Sequence, residues 1–233
     1  KTILLTNFDN YVELFAQKYG VEIDGQNKAM PSATADDITI INFGMGAANA
    51  ATIMDLLGAI RPKGVLFLGK CGGLKKKNKI GDMILPIAAI KGEGASNNYF
   101  PVEVPALPAF NLQRAVSHAV REHDLDYWTG TVYTTSRRVW EHDNKFKKYL
   151  RKIRAMAIDM ETSAIFTGGF ANKIPAGALL LVSDQPMVPE GVKTDKSDNS
   201  VTANFVDKHI QIGIDALKEI MNKGETVKHL RFM

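Results

Sequence analysis

Residues 38–69 read ITIINFGMGAANAATIMDLLGAIRPKGVLFLG, and this stretch decides the fold. The run 38–43 is short and almost continuously apolar. Gly44-Met45-Gly46 interrupts it, and a second apolar run occupies 65–69. Short continuous runs of this kind are strands buried on both faces. Between them, Ala47, Ala50, Ala51, Met54 and Leu57 recur at helical spacing and form a wide apolar stripe, which predicts a helix over 47–60 packed on a sheet. Working outward, further strands are expected at 3–6, 83–90, 130–134, 156–160 and 177–183. Helices are expected at 10–19, 108–123, 161–171 and 201–222, with Ser200 as N-cap and Gly224 closing the last. Alternating strands and helices predict a three-layer α/β sandwich, a central mixed β-sheet flanked by helices. No repeat, low-complexity tract or linker interrupts the pattern, so residues 1–233 are expected to form a single domain.

The 233 residues are 45% hydrophobic and 23% charged, enough for one sizeable core. Lys plus Arg total 29 against 25 Asp plus Glu, a formal charge of +4. That excess is thinly spread, and suits a small anionic substrate better than nucleic acid. The basic run Lys75–Lys79, bounded by Leu74 and Ile80, is expected to be a solvated turn. Cys71 is the single cysteine, so no intramolecular disulfide can form, and the five histidines are scattered without metal-ligand spacing. A reducing, cytoplasmic location follows, with no structural metal. The apolar runs are too short for a membrane span.

Gly44-Met45-Gly46 lies between a strand and a helix, where bare backbone N–H groups could bind an anion or let a ligand, held near Gly46, come close. It is not a dinucleotide fingerprint: Asn49 takes the third glycine position, and no acid lies about 20 residues on, around Leu66. Gly69-Lys70-Cys71-Gly72-Gly73 is expected to form a second glycine turn at the end of a strand, with Lys70 in a possible anion nest. A nucleophilic Cys71 has no neighbouring His to activate it. Asp159-Met160-Glu161 and Asp184 place carboxylates at the ends of buried strands. Desolvation of the charged form there raises a carboxyl pKa and suits it to proton donation.

Gly44-Met45-Gly46, the Gly-Lys-Cys-Gly-Gly segment, Asp159-Met160-Glu161-Thr162-Ser163-Ala164 and Val182-Ser183-Asp184 occur in the order and approximate spacing of the purine nucleoside phosphorylase and nucleosidase superfamily. Within it, 69–74, the segment 130–135 with Arg137, Arg138, Trp140 and Glu141, and 179–186 resemble the AMP nucleosidase branch. The resemblance spans nearly the whole chain. It implies hydrolysis of AMP to adenine and ribose 5-phosphate in a homohexamer, with AMP and water as the small-molecule partners and no cofactor, nucleic acid or membrane.

By the same resemblance, Asp184 matches the general acid that protonates the purine at N7. Glu161 and Met160 match the pair that holds the ribose. Trp140 lies near the aromatic that stacks on the base, while Cys71, Gly72 and Ile158 line the base pocket. Arg137, Arg138 and Lys70 are the candidates for the 5′-phosphate. Phe67 stands where phosphorolytic relatives place a phosphate-binding arginine, which favours hydrolysis. The segment Asn7-Phe8-Asp9-Asn10-Tyr11 also lacks the phosphate-holding Gly and Arg. The base for the attacking water is left between Asp9 and Glu93. Lys91-Gly92-Glu93-Gly94-Ala95-Ser96 resembles a uridine phosphorylase segment, so a purine or uridine nucleoside phosphorylase is the alternative.

Overall fold

The computed structural model describes residues 1–188, 191 and 195–223. In chain order its elements are β1 (Thr2–Thr6), α1 (Asp9–Tyr19), β2 (Ser32–Ala35), β3 (Ile38–Asn42), α2 (Ala47–Ile60), β4 (Val65–Gly73), β5 (Met83–Gly92), α3 (Phe110–Glu122), β6 (Tyr127–Thr135), α4 (Asn144–Lys152), β7 (Ala157–Asp159), α5 (Thr162–Ala171), β8 (Ala176–Asp184) and α6 (Asp195–Lys223). A 3-10 turn spans Ala95–Asn98.

The expected mixed sheet flanked by helices is present. β1, β3 and β4 run parallel, as the strand-helix-strand pattern of 38–69 requires. Both faces of β4 and β8 are covered, which explains their unbroken apolar sequences. On one face Leu66, Leu68, Leu179 and Leu181 pack against Tyr11 and Phe15 of α1, Val116 of α3 and Ile210 of α6. On the other, Phe67, Ala178 and Leu180 pack against Met54 of α2 and Phe166 of α5. Period-two alternation thus survives inside runs that look uniformly apolar in sequence.

The eight strands follow the order β2-β3-β1-β4-β7-β6-β5-β8, and β8 also pairs in parallel with β4 along its length. β4, β7, β6, β5 and β8 therefore close into a ring, while β1, β3 and β2 continue from it as an open wing.

Three expectations change. Residues 69–73 are strand, not turn: β4 runs on through Gly73 with every residue buried. These glycines serve close packing instead. The Phe67 ring lies where a Gly69 side chain would be, Pro186 and Ile158 crowd Gly72, and Asn78 and Val182 crowd Gly73. The last helix begins at Asp195, so Ser200 lies within it, and Gly224 falls outside the described residues. β2 and α4 also went unpredicted. β2 is four small residues, and α4 is mostly basic, started by Asp143 accepting from the Phe146 N–H at 2.9 Å. Among the described residues no helix is long and apolar enough to cross a membrane.

Candidate active site

Parallel strands deliver their carboxyl ends to one edge of a sheet, and ligands bind there. The ends of β1, β4, β6, β7 and β8 surround a solvent-open cleft.

Asp184 ends β8 and lines the cleft. The β4–β8 register shifts there: Cys71 faces Val182, but Gly72 faces Asp184, leaving Ser183 as the extra residue of a bulge. A bulge re-aims the side chain that follows it. The Ser183 hydroxyl donates to Asp184 Oδ1 at 2.7 Å, and Asp184 is 8% exposed. Cys71 and Gly72 line the same wall.

β7 and the start of α5 supply the second acid. Asp159 Oδ2 accepts from the backbone N–H of Glu161 at 3.2 Å and of Thr162 at 2.7 Å, and from Thr162 Oγ1 at 2.5 Å. Its Oδ1 accepts from Thr134 Oγ1 at 2.8 Å. Asp159 thus serves the helix terminus, and Glu161 is released to face the cleft. Glu161 Oε1 accepts from the Gly46 N–H at 2.8 Å and Oε2 from the Met160 N–H at 3.2 Å. Burial pushes Asp159 above the ordinary carboxylate range against these four donors. Burial and then the Asp159 charge raise Glu161 to about 8, opposed by the Gly46 and Met160 N–H groups and the Asn7 side chain. Gly46 accordingly reaches the site through Glu161: its N–H is bonded to the carboxylate, and Gly46 itself does not line the cleft. Its φ of 95° and that of Gly44, 83°, make the turn one that glycine adopts without strain.

Met160 and Ile158 line the cleft beside Trp140. Trp140 is 5% exposed and packs edge-on against Phe146 at 5.4 Å, so it is at once a core residue and a cleft wall.

The three cations differ. Arg137 pairs with Asp143 at 2.9 Å and lies over the Phe146 ring. Arg138, also on the cleft wall, is exposed and forms no ion pair with a described residue. Lys70 is buried in β4, its Nζ 4.5 Å from the Phe8 ring centre. With 69–73 in a strand, no backbone nest surrounds Lys70.

The two base candidates lie outside the cleft. Asp9 accepts from the Asn42 amide at 2.7 Å, and Glu93 accepts from Ser163 Oγ at 2.8 Å and the Ser96 N–H at 3.1 Å. The segment 91–96 likewise does not line it. Asn7, Phe8, Met45 and Glu141 do, although reading the sequence assigns them no role. For Asn7 and Phe8 the available signal was their position directly after a strand. Among the described residues, no three His, Cys, Asp or Glu side chains converge to hold a metal ion.

A mixed sheet with two buried acids lining one cleft at its strand ends defines an α/β protein with a candidate active site of acid type. Residues 1–222 match the phosphorylase superfamily, and the chain belongs to that superfamily. Two AMP nucleosidases are similar to it. The crystal structure of the Bacteroides thetaiotaomicron protein superposes with a TM-score of 0.86 at 56% identity, covering 96% of this chain and 90% of that one. The Escherichia coli (strain K12) protein is 34% identical over 203 residues, 83% of this chain. This chain spans only 42% of that relative's length. The uridine phosphorylase of Vibrio fischeri has the same fold, with a TM-score of 0.82 at 22% identity, covering 94% of this chain and 91% of that one.

Proposed function

We propose that this chain hydrolyses the N-glycosidic bond of AMP, giving adenine and ribose 5-phosphate. The observation that carries this reading is the convergence of Asp184 and Glu161 in one cleft, in a chain with 56% identity to an AMP nucleosidase across almost its whole length. Asp184 protonates N7, so the base departs as a neutral molecule and the C1′–N9 electron pair stays with it. Glu161 accepts from ribose hydroxyls while the Met160 thioether packs on the sugar. Positive charge developing on the ribosyl ring favours the ionised form of Glu161, so its grip on the hydroxyls tightens in the transition state, which lowers the barrier. Cys71, Gly72, Ile158 and Trp140 enclose the adenine. Arg138 reaches the 5′-phosphate, with Lys70 supplying positive charge deeper in the wall. Arg137 serves chiefly to hold Asp143 and the start of α4. Water is the cosubstrate, and the roles above need neither cofactor nor metal.

Phosphorolysis is the alternative. Phe67 speaks against it: the ring is fully buried, 5.7 Å from that of Phe43, and stays out of the cleft where an inorganic phosphate ligand would be needed. We read 1–233 as one catalytic unit, since β8 and α6 complete the sheet and core that β1 begins. A nucleotide substrate agrees with a cytoplasmic setting. A homohexamer is our reading of the assembly, supported by large apolar side chains such as Leu56, Ile60 and Phe110 left more than half exposed. Adenine release from AMP, measured with and without inorganic phosphate, tests the function. Equal rates are expected; release that depends on phosphate establishes the phosphorylase.

A further inference from the structure

We propose that the connection between β4 and β5 aims Asp184 into the cleft: Asn78 latches Gln185, the residue after the acid, and so fixes where the Asp184 carboxyl sits. This rests on the reading of Asp184 as the proton donor. The connection carries the basic run Lys75–Lys79, and Lys76, Lys77 and Lys79 are exposed as a solvated turn requires. Asn78 among them is only 1% exposed. A buried amide needs partners, and Asn78 has them. Its Oδ1 accepts from the Lys75 N–H at 2.9 Å, which closes the turn, and its Nδ2 donates to the Met156 sulfur at 3.8 Å. Its Cβ lies so close to Gly73, the end of β4, that a side chain there would collide with it. Anchored in this way, Asn78 presents its backbone carbonyl as a fixed acceptor, and the Gln185 side-chain amide donates to it.

The same connection also holds β8 before the acid. The Gly81 N–H donates to the Val182 carbonyl at 2.9 Å, and the Val182 N–H donates to the Asp82 carbonyl at 2.9 Å. Residues 74–82 therefore grip the strand end two residues before Asp184 and one residue after it. Between the two grips lies Ser183, the extra residue of the bulge. A bulge disrupts the ladder locally, so the sheet alone dictates the direction of the next side chain less firmly than it does elsewhere in β8. The latch at Gln185 supplies the missing constraint. A general acid must stay within hydrogen-bond reach of the atom it protonates, which makes that constraint matter for turnover. Neither Asn78 nor Gln185 lines the cleft. Both are positioning residues, reaching the substrate only through Asp184.

The test uses Gln185→Ala, which removes the donor, and Gln185→Glu, which keeps the size but puts an acceptor-only carboxylate against the Asn78 carbonyl. The second also carries the comparison should the first fail to fold. Thermal melts establish folding, and kcat and KM for AMP are then measured for each change alone and combined with Asp184→Asn. Misplacing a reacting group by about 1 Å costs up to about 100-fold, so each single variant is expected to lose kcat roughly 10- to 100-fold with KM nearly unchanged. Because the latch acts through the acid, neither change should lower kcat further once Asp184→Asn is present. Unchanged kcat in Gln185→Ala overturns the proposal, and so does near-normal kcat in Gln185→Glu, which would make side-chain size the relevant property. An equal fold-loss with and without Asp184→Asn also overturns it, since a general structural role would act in both backgrounds. Near-normal turnover of Asp184→Asn by itself would instead sink the reading of Asp184 as the acid.

Discussion

At the scale of single residues, Glu161 ties stability to pH. Its carboxyl is raised from 4.5 to about 8, chiefly by burial. Between those values the folded chain holds a proton that the unfolded chain has released, so this group's contribution to stability is present at low pH and is lost as pH rises through about 8. Glu161→Gln removes the titration. Its amide also puts a donor against the Met160 N–H, which lowers Tm at every pH. The difference in Tm between variant and wild type should nevertheless move in the variant's favour from pH 5 to pH 8.5, while kcat falls with the lost carboxylate. Melting curves at the two pH values check this, and a difference independent of pH would contradict it. The cations give a second prediction. A hydrogen bond to a charged group contributes about 1.5–3 kcal/mol, so Arg138→Ala should lower kcat/KM for AMP roughly 10- to 150-fold with little change for adenosine. Arg137→Ala should cost less selectivity and more stability, since Arg137 is already paired with Asp143. Equal losses on both substrates for Arg138→Ala would return that residue to the fold.

At the scale of elements, the bulge between β4 and β8 turns a strand-end acid into a cleft acid. Asp184→Asn keeps the shape and can still accept from Ser183, but has no carboxylic proton to give. A fall in kcat of about 10²–10⁴-fold is expected; near-normal turnover between pH 6 and 8 would remove Asp184 from the role of acid. Most elements were legible because burial on both faces leaves continuous apolar runs, and helices leave a stripe. What was hidden at the site depends on side-chain packing that no local pattern records. The glycines of 69–73 look like a turn in sequence, because nothing local shows that Phe67, Pro186 and Asn78 occupy the space their missing side chains leave. Asp184 and Glu161 could be picked out as strand-end acids. That Asp159 would serve the helix while Glu161 faced the cleft could not, since it depends on Thr134 and Gly46.

For the whole molecule, a solution mass several times that of one 25.6 kDa chain is expected from light scattering, and a monomer at working concentrations would count against the homohexamer. Ring closure has a further consequence, for synthesis. β4 and β5 are separated by only a short connection, yet within the ring they are joined on one side through β7 and β6 and on the other through β8. Among the described residues β8 is the last strand made. In a nascent chain lacking residues 176–184, the backbone edges of β4 and β5 that β8 bridges have no β8 to pair with. The same nine residues carry Asp184. An incomplete polypeptide therefore exposes strand edges and lacks Asp184, and the emergence of one strand from the ribosome both seals the edges and completes the wall of the cleft. Completion of the cleft here coincides with closure of the sheet.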